Sequence, residues 1–130
     1  MKKKVGPIRG KTVSVLGLAF KPDTDDVRDS VSIKLIELLL KNGVNVIAHD
    51  PKAIENTRAI FGSKIRYTNS INDALRESYC VIIMTAWKQY AGLGDNNFKF
   101  MKQRIIVDSR RMLVKKNLDA DYYALGIGNN

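Results

Sequence analysis

The sequence predicts an α/β domain built on a mainly parallel sheet, and three observations carry that expectation. Short β-branched apolar runs alternate with amphipathic stretches along almost the whole chain. Gly43, Asp50-Pro51 and Gly62 fall where such elements must end or begin. The run over 80–84 is apolar without interruption, as in a strand covered on both faces. A length of 130 residues suits one compact domain with a real core.

Residues 1–10 show no apolar periodicity, carry Lys2, Lys3 and Lys4, and contain Gly6-Pro7. They are expected to form a basic arm ahead of a domain spanning 11–130. The first strand is expected over 12–17. After a long polar loop, a helix is expected over 31–42. It sets Lys34, Glu37 and Lys41 against Ile33, Leu35, Ile36, Leu38, Leu39 and Leu40. Asp29 or Ser30 can cap its start, and Gly43 supplies a left-handed stop. A second strand over 44–49 leads to Asp50-Pro51 and a helix over 52–61. A short strand over 65–67, a helix over 71–77 and the strand over 80–84 follow. A loose stretch around Gly92 and Gly94 then leads to a short helix over 97–101. Strands over 104–108 and 122–125 complete the chain before Gly126-Ile127-Gly128. The order implies a three-layer, Rossmann-like arrangement of about six strands with helices on both faces.

Hydrophobic residues make up 45% of the chain and charged residues 27%, as in soluble globular domains. No run approaches the roughly 18 apolar residues of a membrane span. The basic start lacks the apolar segment of a secretory leader. A single cysteine excludes an internal disulfide and suits a cytoplasmic location. The 22 Lys+Arg against 13 Asp+Glu leave a net charge of +9, which raises a polyanion-binding reading. Its distribution favours that reading less, because the excess lies in residues 1–11 and 102–116. A basic surface meeting phosphate of any kind explains it as well as nucleic acid does.

In parallel sheets of this type, ligands bind outside the carboxyl ends of the strands. Function is therefore expected in segments 17–30, 49–51, 85–90 and 108–111. A domain holding its own dinucleotide would show G-x-G-x-x-G after the first strand. Here Gly17 is followed by Leu18, Ala19, Phe20 and Lys21, with no further glycine in the loop. Asp50 ends the second strand like a ribose-binding acid, but it lies well beyond the roughly 20 residues usual after the fingerprint. It reads better as a cap for the helix after Pro51. Asp23, Asp25, Asp26 and Asp29 do not follow a calcium-loop pattern. They read as helix-start electrostatics and as partners that orient Lys21 and Arg28. No metal site and no catalytic grouping is expected.

Lys21 and Arg28 can meet phosphate, carboxylate or sugar oxygens, or can simply be solvated. Arg110 and Arg111 follow the fifth strand and should emerge on the same edge, which favours an anionic ligand. Cys80 lies within an apolar strand and reads as a buried small hydrophobe. His49 reads as a surface or capping side chain. Trp87 and Tyr90 can stack on a base or sugar, or pack against a neighbouring domain.

The run G-L-A-F-K-P-D-T-D-D-V-R-D-S, followed by S-I-K-L-I-E-L-L-L-K-N-G and H-D-P, resembles the carboxyl-terminal domain of the UDP-glucose/GDP-mannose dehydrogenases. The UDP-glucose 6-dehydrogenase branch is the nearest. The resemblance extends from about Gly10 through V-D-S-R-R to Y-Y-A-L-G-I-G. It implies a role in oxidising a nucleotide-sugar alcohol to an acid with NAD, in the making of polysaccharide precursors. An amino-terminal NAD domain, a central dimerisation domain and the catalytic cysteine would lie in other segments of a homo-oligomeric enzyme, so this chain alone would be inactive. By position, Phe20, Lys21 and Arg110 match substrate contacts, and Arg28 matches an arginine reaching NAD across the cleft. UDP-N-acetylhexosamine and GDP-mannose remain alternative substrates.

Three positions depart from the family pattern. Val31 stands where proline is common, Ser109 replaces the glycine of D-G-R, and Ala86 replaces an acid. If the glycine's place demands a left-handed backbone, serine changes the turn that presents Arg110.

Overall fold

The computed structural model describes residues 9–19, 21–28 and 30–124. Six strands form one sheet in the order β3-β2-β1-β4-β5-β6, and every neighbouring pair is parallel. The strands are β1 (Thr12–Leu16), β2 (Asn45–His49), β3 (Arg66–Tyr67), β4 (Cys80–Ile83), β5 (Ile105–Asp108) and β6 (Asp121–Ala124). The expected three-layer α/β architecture is present, with strand order reversing between β1 and β4.

Alternation along the strands builds two cores. Val13, Val15, Cys80, Ile82, Ile105 and Val107 face one layer, with α1 (Val31–Lys41) and α2 (Ile54–Phe61) packed over them. Leu16, Val81, Ile83 and Ile106 face the other, against Leu75 of α3 (Ile71–Arg76) and Phe98 of α4 (Asp95–Phe98). β4 is buried throughout, as its unbroken hydrophobicity requires.

Local chemistry explains where the boundaries differ from expectation. α1 starts after Ser30, whose Oγ accepts from Ser32 N, and it ends before Gly43 at φ +74°. Leu38 of this helix is 46% exposed, so the apolar face is narrower than its sequence suggests. α2 begins two residues later than expected because the backbone N–H groups of Lys52 and Ala53 donate to Asp50 Oδ1, both at 2.8 Å, in a turn of their own. α4 begins earlier, since Asn97 Oδ1 accepts from Gly94 N at 3.0 Å and closes the first turn there. The loose stretch before it contains a 3-10 turn at Lys88–Gly92. The arm over 1–8 and the Gly126-Ile127-Gly128 terminus lie outside the described residues. No helix among those described is long and apolar enough to cross a membrane.

Candidate functional site

At the reversal of strand order, Gly17 and Thr85 meet. Gly17 has φ +101°, and a Cβ built there would lie 2.5 Å from Thr85 Cβ and Oγ1. Only glycine permits this approach. Thr85 in turn donates from Oγ1 to Ala19 O at 3.0 Å. The first-loop backbone and the segment after β4 are thus in direct contact at the point where strand order reverses.

Asp50 is just as fully committed. Its carboxylate is 2% exposed. Oδ2 accepts from Leu18 N at 2.7 Å, Ala19 N at 3.1 Å and Trp87 Nε1 at 3.0 Å, while Oδ1 takes the two donors ahead of α2. No oxygen faces outward to grip a ribose. Asp50, with both oxygens committed to donors of its own chain, does not fit the role of a ribose-binding acid, and the capping role expected for it is observed.

The same bonds fix the base of the loop that carries Lys21. Ser30 Oγ donates to Leu18 O, and Ser32 Oγ donates to Gly17 O, both at 2.8 Å. The loop leaves and re-enters the fold through these stitches, and Val27 anchors its second half in the core. Lys21 is exposed, with no hydrogen bond or ion pair to another described residue. Phe20 and Asp29 lie outside the described residues.

Further along, Asp23 adopts a left-handed φ of 69°, a conformation that aspartate tolerates. Asp26 grips Arg28 with both oxygens: Oδ1 accepts from Arg28 Nε at 3.1 Å and from its backbone N at 2.9 Å, and Oδ2 accepts from Nη2 at 3.0 Å. These bonds hold the Asp26 carboxyl below its ordinary value. The Arg28 side chain remains 87% exposed, so the acid sets its direction without covering it. Asn56 Nδ2 donates to Asp25 O at 2.7 Å and ties this outer half of the loop over α2. Of the acids expected to orient the two cations, Asp26 alone among the described residues does so with its carboxylate; Lys21 has no such partner, and α1 carries no acid in its first turn.

A second buried acid organises the loop after β5. Asp108 is fully buried; its Oδ2 accepts from Leu113 N and Tyr122 Oη, each at 2.7 Å, and Oδ1 accepts from Arg110 N at 3.2 Å. Burial, with the Asp108 carboxylate beside it, pushes the Tyr122 hydroxyl well above its usual value. Ser109 does not adopt the left-handed conformation; Arg111 does, at φ 56°. The serine hydroxyl donates to Ile83 O at 2.5 Å, adding a bond that glycine cannot make. Half-buried Arg110 donates from Nε to Met84 O at 3.0 Å. It thus lies across the end of β4, beside the Thr85 segment, whereas Arg28 stands towards α2. Lys21, Arg28 and Arg110 share the carboxyl edge but are spread along it.

Three side chains sit deeper than their sequence positions suggest. His49 is 2% exposed rather than at the surface, with Nδ1 2.8 Å from Tyr90 Oη. Tyr90 and Trp87 are core residues of this domain, turned inward rather than towards a base or another domain. An aromatic pair placed just after a buried strand, opposite a His-Asp end, was the available signal. Cys80 is buried as expected, and burial pushes its thiol up to about 12.

Fold and edge together define a class: a parallel α/β domain whose strand-end acid is committed to its own backbone and whose carboxyl rim presents cations. Residues 14–115 match the UDP binding domain of the UDP-glucose/GDP-mannose dehydrogenase family. A UDP-glucose 6-dehydrogenase of Haloferax volcanii is 44% identical over 116 residues, covering 89% of this chain and 26% of that protein. The structure of a UDP-glucose dehydrogenase from Pyrobaculum islandicum superposes with a TM-score of 0.81 at 36% identity, covering 99% of this chain and 28% of that one. A UDP-N-acetyl-mannosamine dehydrogenase from Staphylococcus aureus gives 0.74 at 26% identity, covering 97% of this chain and 29% of that one. The chain belongs to the UDP-glucose/GDP-mannose dehydrogenase family, as its UDP binding domain. It spans about a quarter of the length of the curated relatives it matches.

Proposed function

We propose that the chain is the UDP-sugar-binding part of a cytoplasmic, NAD-dependent UDP-glucose 6-dehydrogenase that oxidises UDP-glucose to UDP-glucuronate. The observation that carries this reading is the pairing of a committed strand-end acid with an exposed lysine. Asp50 gives both its oxygens to the chain's own N–H groups, while Lys21 stands out from a loop fixed at its base. Lys21 and Arg110 supply positive charge to the diphosphate, and Phe20 contacts the nucleotide sugar beside them. Arg28, held in direction by Asp26, reaches an NAD bound by a domain outside this chain. Oligomerisation likewise belongs to a domain outside it. The chain alone performs no oxidation, since its one cysteine is buried and its thiol is pushed up to about 12.

The sugar is the finer part of the proposal. Curated relatives named for UDP-glucose favour glucose, and the likeness to the UDP-N-acetyl-mannosamine enzyme keeps a UDP-N-acetylhexosamine as the second reading. Calorimetry with UDP, UDP-glucose, UDP-N-acetylglucosamine and GDP-mannose tests both. We expect the uridine nucleotides to bind. Lys21→Ala should weaken UDP by about tenfold, the loss of one charge-assisted hydrogen bond. Binding of GDP-mannose in preference to every uridine nucleotide would overturn the substrate class.

A further inference from the structure

We infer that Asp50 is a positioning residue for the UDP site, the hub that holds the Lys21 loop in its binding shape. The inference rests on the proposed function and adds a role to a residue that touches no ligand. One buried carboxylate joins three segments that are distant in sequence: the loop after β1 through Leu18 N and Ala19 N, the segment after β4 through Trp87 Nε1, and the start of α2 through Lys52 N and Ala53 N. Ala19 lies two residues before Lys21, so the backbone entering the cationic stretch is aimed by this acid.

The bonds are charge-assisted and lie in a site shielded from water, where each contributes more than it would at the surface. They also fix the loop before ligand arrives, so less ordering remains to oppose binding. Asp50 sits at the end of β2, where a dinucleotide fold places its ribose acid. In this chain the acid faces inward, and the peptide N–H groups of the first loop take the place of the ribose hydroxyls.

Trp87 makes the hub observable. It is the only tryptophan, so its indole N–H gives a single isolated resonance on Asp50 Oδ2. The test uses the 15N-labelled chain with UDP as the probe. We expect UDP to shift the Trp87 indole and the Leu18 and Ala19 amides along with Lys21. Asp50→Asn keeps the size of the side chain but turns an NH2 group towards at least two N–H donors. It should weaken UDP by about tenfold or more. Ser14→Ala breaks the buried Ser14–Ser78 hydroxyl pair, 2.6 Å long, within the sheet. As a control for stability alone, it should lower Tm and leave the UDP Kd within about twofold.

Should Asp50→Asn not fold, Trp87→Phe carries the test by removing one donor. It should weaken UDP by about threefold or more and move the Leu18 and Ala19 amides. A folded Asp50→Asn or Trp87→Phe chain with unchanged UDP affinity overturns the inference. So does an equal loss of affinity in Ser14→Ala, which would trace the effect to stability. No UDP response in the unsubstituted chain overturns the proposed function, and the inference falls with it.

Discussion

Asp50 follows β2 and Asp108 ends β5, and each commits a buried carboxylate to the backbone of the loops that follow. Every buried side-chain nitrogen or oxygen among the described residues has a partner, so these acids are compensated rather than strained. Beside Asp50, His49 is enclosed with Tyr90 at a ring-centroid separation of 5.6 Å in an edge-on arrangement. Desolvation pushes the imidazole below its ordinary value, and the Asp50 charge only partly opposes this. The unfolded chain therefore takes up a proton on His49 before the folded chain does. The stability linked to this residue is complete above about pH 6.5 and declines as pH falls through the lowered folded value. Because His49 is the only histidine, the decline should appear in Tm as pH falls below about 6.5, ahead of carboxylate titration. An imidazole titration midpoint at or above 6.5 would contradict this account.

Among the elements, α1 ties the candidate loop to the sheet. Ser30 Oγ accepts from Ser32 N and donates to Leu18 O, so one hydroxyl both caps the helix and closes the loop. Ser30→Ala should cost about 1–2 kcal/mol, the range of a lost helix cap, measured as a lower urea midpoint at an unchanged m value. A loss below about 0.3 kcal/mol would show that solvent replaces the cap. The helix and its ends were readable because their determinants are local: a serine before the run, a glycine after it, and leucine and isoleucine between. Parallel strands were readable from β-branched apolar runs separated by helices. The start of α2 was not, because the two residues before it answer to Asp50 rather than to helix propensity. The roles of His49, Trp87 and Tyr90 were hidden for the same reason. Their partners lie 37 or more positions away in sequence and meet only when β2 and β4 flank β1.

At the scale of the whole molecule, the sheet gathers its loops at one edge, with the Gly17–Thr85 contact between β1 and β4 at its centre. The sequence showed that this edge should carry Lys21, Arg28 and Arg110. It did not show that they are spread along the edge, since that depends on Asn56 drawing the loop over α2 and on Met84 O holding Arg110. The missing glycines set the expectation that NAD is bound elsewhere; the contact of Thr85 with Gly17 required the packed sheet. On the proposed function, the carboxyl edge of this domain binds uridine diphosphate and the end of β1 holds no dinucleotide. Amide shift mapping of the 15N-labelled chain with UDP and, separately, with NAD at equal concentration tests it most directly. UDP should perturb residues 18–21 and 109–111, and NAD should leave residues 17 and 50 unmoved. NAD-induced shifts centred on Gly17 and Asp50, or a UDP response confined to other surfaces, would contradict it.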